Sequence, residues 1–162
     1  MKKLILGVVV WGLVLGQITL LMAGNTAQQT VTYEVSAINE ISVSGNPGDL
    51  VVNSATAGSQ PDSVTDNSTT WAITTNQTAR KITGAINSDM PSNVTLEINL
   101  VAPTGGSSQG DVALTATDGN LVTSIETVAE DALTITYTLS ATVAAGVVAE
   151  AQKTVTLTLT AE

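Results

Sequence analysis

Apolar and polar residues alternate without a fault from Thr154 to Thr160, Thr-Val-Thr-Leu-Thr-Leu-Thr. A period of two places Val155, Leu157 and Leu159 on one face and the threonines on the other, which is the signature of a strand with one buried face. The same rhythm recurs at Val94, Leu96, Ile98 and Leu100, and again at Leu133, Ile135, Tyr137, Leu139 and Ala141. Nearer the start, residues 29–37 read as a strand with Val31, Tyr33, Val35 and Ala37 inward and Thr32, Glu34 and Ser36 outward. Shorter strands are expected at 41–43, 50–52, 69–74, 81–86 and 112–116. In one of these Trp71 and Ile73 share a face, so Trp71 reads as a core residue.

Turn chemistry separates these segments. Asn46-Pro47-Gly48-Asp49, Asn87 to Asn93 and Asp118-Gly119-Asn120 are turns by residue type, and Asn76 to Ala79 joins two strands as a hairpin. Residues 53–68, rich in Gly, Pro, Asp, Asn and Ser, read as a loop. Residues 121–131 break the alternation. Thr123-Ser124-Ile125-Glu126 has the spacing of a capping box, so one or two helical turns and an irregular loop are both open there. Residues 143–151, rich in Ala and Val, suit a helical turn or strand ends around Gly146. About eight strands, at most one short helix and turns at short intervals give an all-β fold. It is an antiparallel β-sandwich, immunoglobulin-like or jelly-roll.

The first residues follow another pattern. Met1-Lys2-Lys3 is a positive leader, Leu4 to Leu21 is an apolar run, and Leu21-Met22-Ala23 suits cleavage. Residues 1–23 therefore read as an export signal, and 24–162 as one sandwich domain. Residues 4–21 would hold the chain to a membrane only if the signal is kept.

Composition narrows the chemistry. Without Lys2 and Lys3 the chain carries three basic residues against fourteen acidic ones, a net charge of −11. Such a surface repels nucleic acid and anionic membranes. Cys and His are both absent from the 162 residues. That removes disulfides, thiol chemistry, the Ser-His-Asp triad and His-ligated zinc. A Cys-free exported chain fits a prokaryotic envelope. Asp62, Asp66, Asp89, Asp111, Asp118 and Asp131 lie in or beside loops, but few aromatics accompany them to floor a sugar cleft. No enzyme activity and no cofactor are expected. Asp62 and Asp66, with Asn67, form a candidate calcium site of oxygen ligands without EF-hand spacing. Asn67, Asn76 and Asn93 head glycosylation sequons.

The ending Ala144-Ala145-Gly146-Val147-Val148, followed by Thr154–Thr160, resembles the last hairpin of exported fimbrial and biofilm-matrix fibre subunits, in particular Cys-free, pilin-like ones. That resemblance implies an incomplete sandwich completed by a neighbour's N-terminal strand. The residues allow the same thing: Val31, Tyr33, Val35 and Ala37 form a candidate donor strand close to the new N-terminus, behind a polar leader. Two arrangements stay open, donation to a neighbour or pairing at home. The expected function is a structural subunit of a cell-surface filament or extracellular matrix, with self-association or other envelope proteins as partners. The alternative is a secreted or surface-attached module that binds carbohydrate or an envelope protein.

Overall fold

The computed structural model describes residues 25–162, so the expected export signal lies outside the described residues. The sandwich is built from nine strands: β1 Asn39–Val43, β2 Val64–Thr75, β3 Arg80–Ile86, β4 Val94–Leu100, β5 Ser107–Ser108, β6 Val112–Ala113, β7 Gly119–Ile125, β8 Val128–Ala141 and β9 Val155–Ala161. One sheet has the order β1-β2-β8-β4-β6 and the other β5-β7-β3-β9, and every pairing is antiparallel. The only helical turn among the described residues is a 3-10 turn at Val143–Ala145.

The core lies where the two apolar faces meet. Trp71 and Ile73 from β2, Ile82 and Ile86 from β3, Leu96, Ile98 and Leu100 from β4, and Ile135 and Tyr137 from β8 are buried together. With Phe and Cys absent, β-branched and Leu side chains do most of the filling, which suits pleated surfaces. Trp71 is 1% exposed and its indole Nε1 donates to the Val101 carbonyl at 3.2 Å, so its polar edge is satisfied inside the core. Gly84 is required where it stands: a Cβ there would come within 2.6 Å of Leu121 Cδ1. Its absent side chain lets β3 and β7 pack closely.

Where alternation fails in the sequence, the ladder carries an extra residue. Asp66 pairs with Tyr137 and Thr69 with Ile135, so one more residue is used on β2 than on β8. This bulge switches the inward set from Val64 and Asp66 to Thr69, Trp71, Ile73 and Thr75. Residues 64–68 are therefore strand, and the loop expected over 53–68 ends at Ser63. A second bulge lies at Asp131–Ala132 in β8, opposite Ala72, with Ala132 at φ 55. Ser124, at φ 57, sits in a third, on β7. Residues 121–131, expected as helical turns or a loop, are thus two bulged strands joined at Glu126–Thr127. Capping-box spacing carried no weight there because Leu121, Val122 and Ile125 are all needed in the core.

Two expected strands are absent. Leu50, Val51 and Val52 join no sheet, although Leu50 packs against the core. Residues 29–37 form no strand either, and the inward-facing set expected there points to solvent: Val31 is 71%, Tyr33 90% and Val35 79% exposed, and Ala37 is exposed. The first strand of the sandwich is the continuation around Ile41. Residues 35–162 form one compact unit.

Candidate assembly surface

Three features of the described residues stand out from a self-contained sandwich. They are an exposed apolar segment, the clamp that holds its root, and an apolar groove.

Tyr33 lies within the exposed segment. Trp71 and Tyr137 are buried, so the sequence-predicted core tryptophan is in the core and Tyr33 is the exposed aromatic of the described residues. Burial pushes the Tyr137 phenol above its ordinary pKa, because the phenolate is poorly solvated there.

The clamp is Asn76. This residue follows β2 in the tight hairpin to β3, where Ala79 takes a φ of 52. Its side-chain Oδ1 accepts from the Ile38 amide at 2.8 Å, and its Nδ2 donates to the Ser36 carbonyl at 2.9 Å. Its own backbone amide donates to the Ile38 carbonyl at 3.3 Å. A side-chain amide here imitates a strand peptide and extends the β1–β2 ladder by two residues. The neighbouring Thr75 hydroxyl donates to Asn39 Oδ1 at 2.8 Å. The chain is therefore pinned to the hairpin end of the sandwich from Ser36 onward.

The groove lies at the opposite end, where Val64 meets Leu139, Val94 meets Ala141 and Ile86 meets Val155. It has a volume of about 780 Å³. Leu50, Val52, Met90, Val94, Leu139 and Val148 supply much of its apolar lining. The segments 49–54 and 148–153, neither of which belongs to a strand, line two of its sides. Polar ties hold the ends of the walls. Ser54 Oγ donates to Asp62 Oδ2 at 3.0 Å, and the Asp62 amide to the Ser54 carbonyl at 2.9 Å. The Val143 amide donates to Gln60 Oε1 at 2.8 Å. Lys153 Nζ reaches Ser88 Oγ and the Asp89 carbonyl, both at 2.8 Å. Gly146, at φ 64, turns the chain from the 3-10 turn into the second wall.

Asp62 and Asp66, the candidate calcium residues, each have a local partner. Asp62 is engaged with Ser54. Asp66 Oδ1 accepts from Ser68 Oγ at 2.8 Å and from the Ser68 amide at 3.1 Å, closing the β2 bulge. Among the described residues no group of three or more acidic side chains is placed to hold a metal. The Ser68 hydroxyl, then the Ser68 and Gly48 amides, hold the Asp66 carboxyl below the ordinary range against a smaller opposing effect of burial. Other loop carboxylates serve local structure: Asp89 accepts from the Ala116 amide and Asp111 from Asn99. Of the sequons, Asn76 has its amide committed to the clamp.

The chain matches no family model and no curated protein. Among the described residues no helix is long and apolar enough to cross a membrane. The groove was not foreseen from sequence. Its signal was there in retrospect, as two apolar stretches, Leu50-Val51-Val52 and Val143 to Ala151, that neither alternate cleanly nor carry enough polar residues for ordinary loops.

Proposed function

We propose that this protein is a non-catalytic, exported structural subunit of a cell-surface filament or extracellular matrix, and that copies associate through the N-terminal segment around Val31–Val35. The observation that carries this reading is the exposure of Val31, Tyr33 and Val35 on an alternating, β-prone stretch outside both sheets. Exposed apolar side chains in register on one segment mark an interaction site, and an extended segment with alternate side chains suits strand addition. Single exposed apolar residues need no explanation, but two valines and a tyrosine at a spacing of two do. With the export signal removed, the net charge of −11 keeps separate copies soluble until they are joined. The resemblance of the C-terminal hairpin to exported fibre subunits points the same way. A sugar-binding module is less well supported, since the burial of Trp71 and Tyr137 leaves Tyr33 alone to stack on a ring.

The test is electron microscopy of the purified chain beginning at Gly24, over a range of concentration and salt. Ordered fibres are expected, and salt should promote them by screening like charges. Removing residues 24–34 should leave a folded protein with an unchanged circular dichroism spectrum that no longer forms fibres. A parent chain that stays monomeric at high concentration and high salt would overturn the reading.

A further inference from the structure

We propose that the free edge of β9 pairs with the same edge of a second copy, antiparallel and about a two-fold axis at Leu157. The β5-β7-β3-β9 sheet then continues through both molecules. This contact goes beyond the filament reading above and does not rest on it.

Four strands end the two sheets, and three of them are blunted. β5 and β6 have two residues each, and β1 has five with Glu40 among them. Short or charged edge strands are poor templates for another chain. β9 has seven residues. Its register against β3 runs from Arg80↔Ala161 to Ile86↔Val155 without a bulge, and no charged residue or Pro lies between Thr154 and Ala161. β1, in the facing sheet, comes close to β9 but does not pair with it. The ladder also shows which main-chain groups lie on the open side. The Asn87 amide donates to the Thr154 carbonyl at 3.1 Å and the Glu162 amide to the Ala79 carbonyl at 2.9 Å, so the even-numbered residues of β9 turn toward β3. In an antiparallel ladder the residues between them turn the other way. Val155, Leu157 and Leu159 therefore present their N–H and C=O groups to the edge, and among the described residues no strand takes them.

Self-complementarity and charge identify the partner. Turned end for end, Thr-Val-Thr-Leu-Thr-Leu-Thr differs from itself only in exchanging Val155 with Leu159. An axis at Leu157 sets Leu157 opposite its own copy, Val155 opposite Leu159 and Thr156 opposite Thr158. The outward main-chain groups then meet as hydrogen-bonded pairs. Val155, Leu157 and Leu159 are only partly buried beside the core, and the same three residues of the second copy would continue that apolar face. Thr156 and Thr158 are exposed and would meet across the strands on the other face. The run is flanked by opposite charges, Lys153 before it and Glu162 after it. Both are held in place: Lys153 Nζ donates to Ser88 Oγ and the Asp89 carbonyl, and Glu162 Oε1 accepts from the Ser124 amide. Antiparallel pairing brings the Lys153 end of each copy beside the Glu162 end of the other, whereas parallel pairing would put like charges together. A second β9 thus satisfies the backbone, the apolar face and both charged ends at once. The contact is the same patch on both molecules, so it closes at two copies.

The native chain lacks Cys, which allows a direct test of register. Thr156→Cys and Thr158→Cys chains beginning at Gly24 are mixed and oxidised. Residues opposite each other in a non-hydrogen-bonded pair have Cα atoms about 4.5 Å apart, within disulfide range, while each residue and its own copy lie two positions out of register, beyond about 7 Å. The mixture should therefore link at least about tenfold more than either variant alone. Thr156→Cys mixed with Val101→Cys, on exposed surface elsewhere, should show no such excess. Separately, T156K/T158K sets like charges opposite each other. In sedimentation it should weaken the dimer at least about tenfold with an unchanged circular dichroism spectrum, and mixing with T156E/T158E should restore association. Both results should persist when V31D/Y33D/V35D is added to disable the N-terminal contact. Links that vanish in that background would show that the edge takes the N-terminal segment instead, and the β9 pairing would be wrong. Equal linking in every mixture, or T156K/T158K associating as tightly as the parent, would also overturn it. Fibres without links would remove the β9 pair alone, and links without fibres would remove the filament reading alone.

Discussion

The two ends of this sandwich are built differently. At the hairpin end backbone groups are paired wherever the chain crosses. Asn76 binds Ser36 and Ile38, the Glu162 amide donates to the Ala79 carbonyl at 2.9 Å, and the Ser124 amide donates to Glu162 Oε1 at 2.8 Å. Both chain ends of the folded unit are thus tied to one hairpin and its neighbour. At the groove end the main chain runs past the apolar floor in two segments that pair with nothing described. Burying backbone without partners is costly, and leaving it wet beside apolar surface leaves free energy to be gained on binding. One end is closed by side-chain and backbone hydrogen bonds, and the other presents main chain beside an apolar floor.

That contrast can be broken experimentally. The largest effect should come from the core behind the clamp. Ile73→Ala, at a side chain 2% exposed, should lose about 2–5 kcal/mol in denaturant unfolding. Val148→Ala in the groove wall should stay within about 0.5 kcal/mol for the isolated chain. Comparable losses at both sites would mean that the groove end contributes to folding as the closed end does. Next in size is Asn76→Ala, which removes two hydrogen bonds to the 36–38 backbone and should cost about 1–3 kcal/mol. Hydrogen exchange should then speed up at the Ile38 amide while the groove walls stay as they were. Exchange rising equally at both ends would erase the distinction.

The smallest effect concerns the β2 bulge. The Asp66 carboxyl is held below its ordinary value in the folded chain. Its contribution is therefore complete above the unfolded carboxylate pKa, about 3.9, and is lost as pH falls through the lowered folded value. Asp66→Asn should narrow the stability difference from the parent on going from neutral pH to below pH 3. A difference that is constant with pH would show that the charge of Asp66 has no part in closing the bulge.

Period-two runs made most of the sandwich readable. β4, β9 and the second half of β8 follow the sequence pattern almost residue for residue, because each has one face in the core and no bulge to reset its phase. β7, the first half of β8 and the start of β2 were obscured for a shared reason. One inserted residue moves the apolar set to the other parity, and a period-two reading then reports a loop or a helix. The residues that absorb these insertions, Ser124 and Ala132, take positive φ without being glycine, so no local signal marks them. Residues 29–37 carried the opposite fault. Their alternation is clean, and alternation reports that a face can be buried but not that its own sandwich buries it. The groove was illegible because it is defined by missing partners. Asn76 looked like an ordinary hairpin residue and a sequon, since a clamp on a segment 38 positions away leaves no short-range pattern.

If copies join through the segment before Ser36, as proposed, the Asn76 clamp also decides how the chain carries load. Tension arriving through Val35 meets Ser36 and Ile38 first, and then passes into β1. That strand runs lengthwise from the hairpin end, antiparallel to β2 from Asn39↔Thr75 to Val43↔Trp71. A pull along the long axis of the sandwich then shears the whole β1–β2 ladder at once, where a sideways pull would peel it one bond at a time. Resistance to forced unfolding is set by the unfolding rate. Under such a pull this five-residue edge strand, anchored at its root by one asparagine, would resist as a unit.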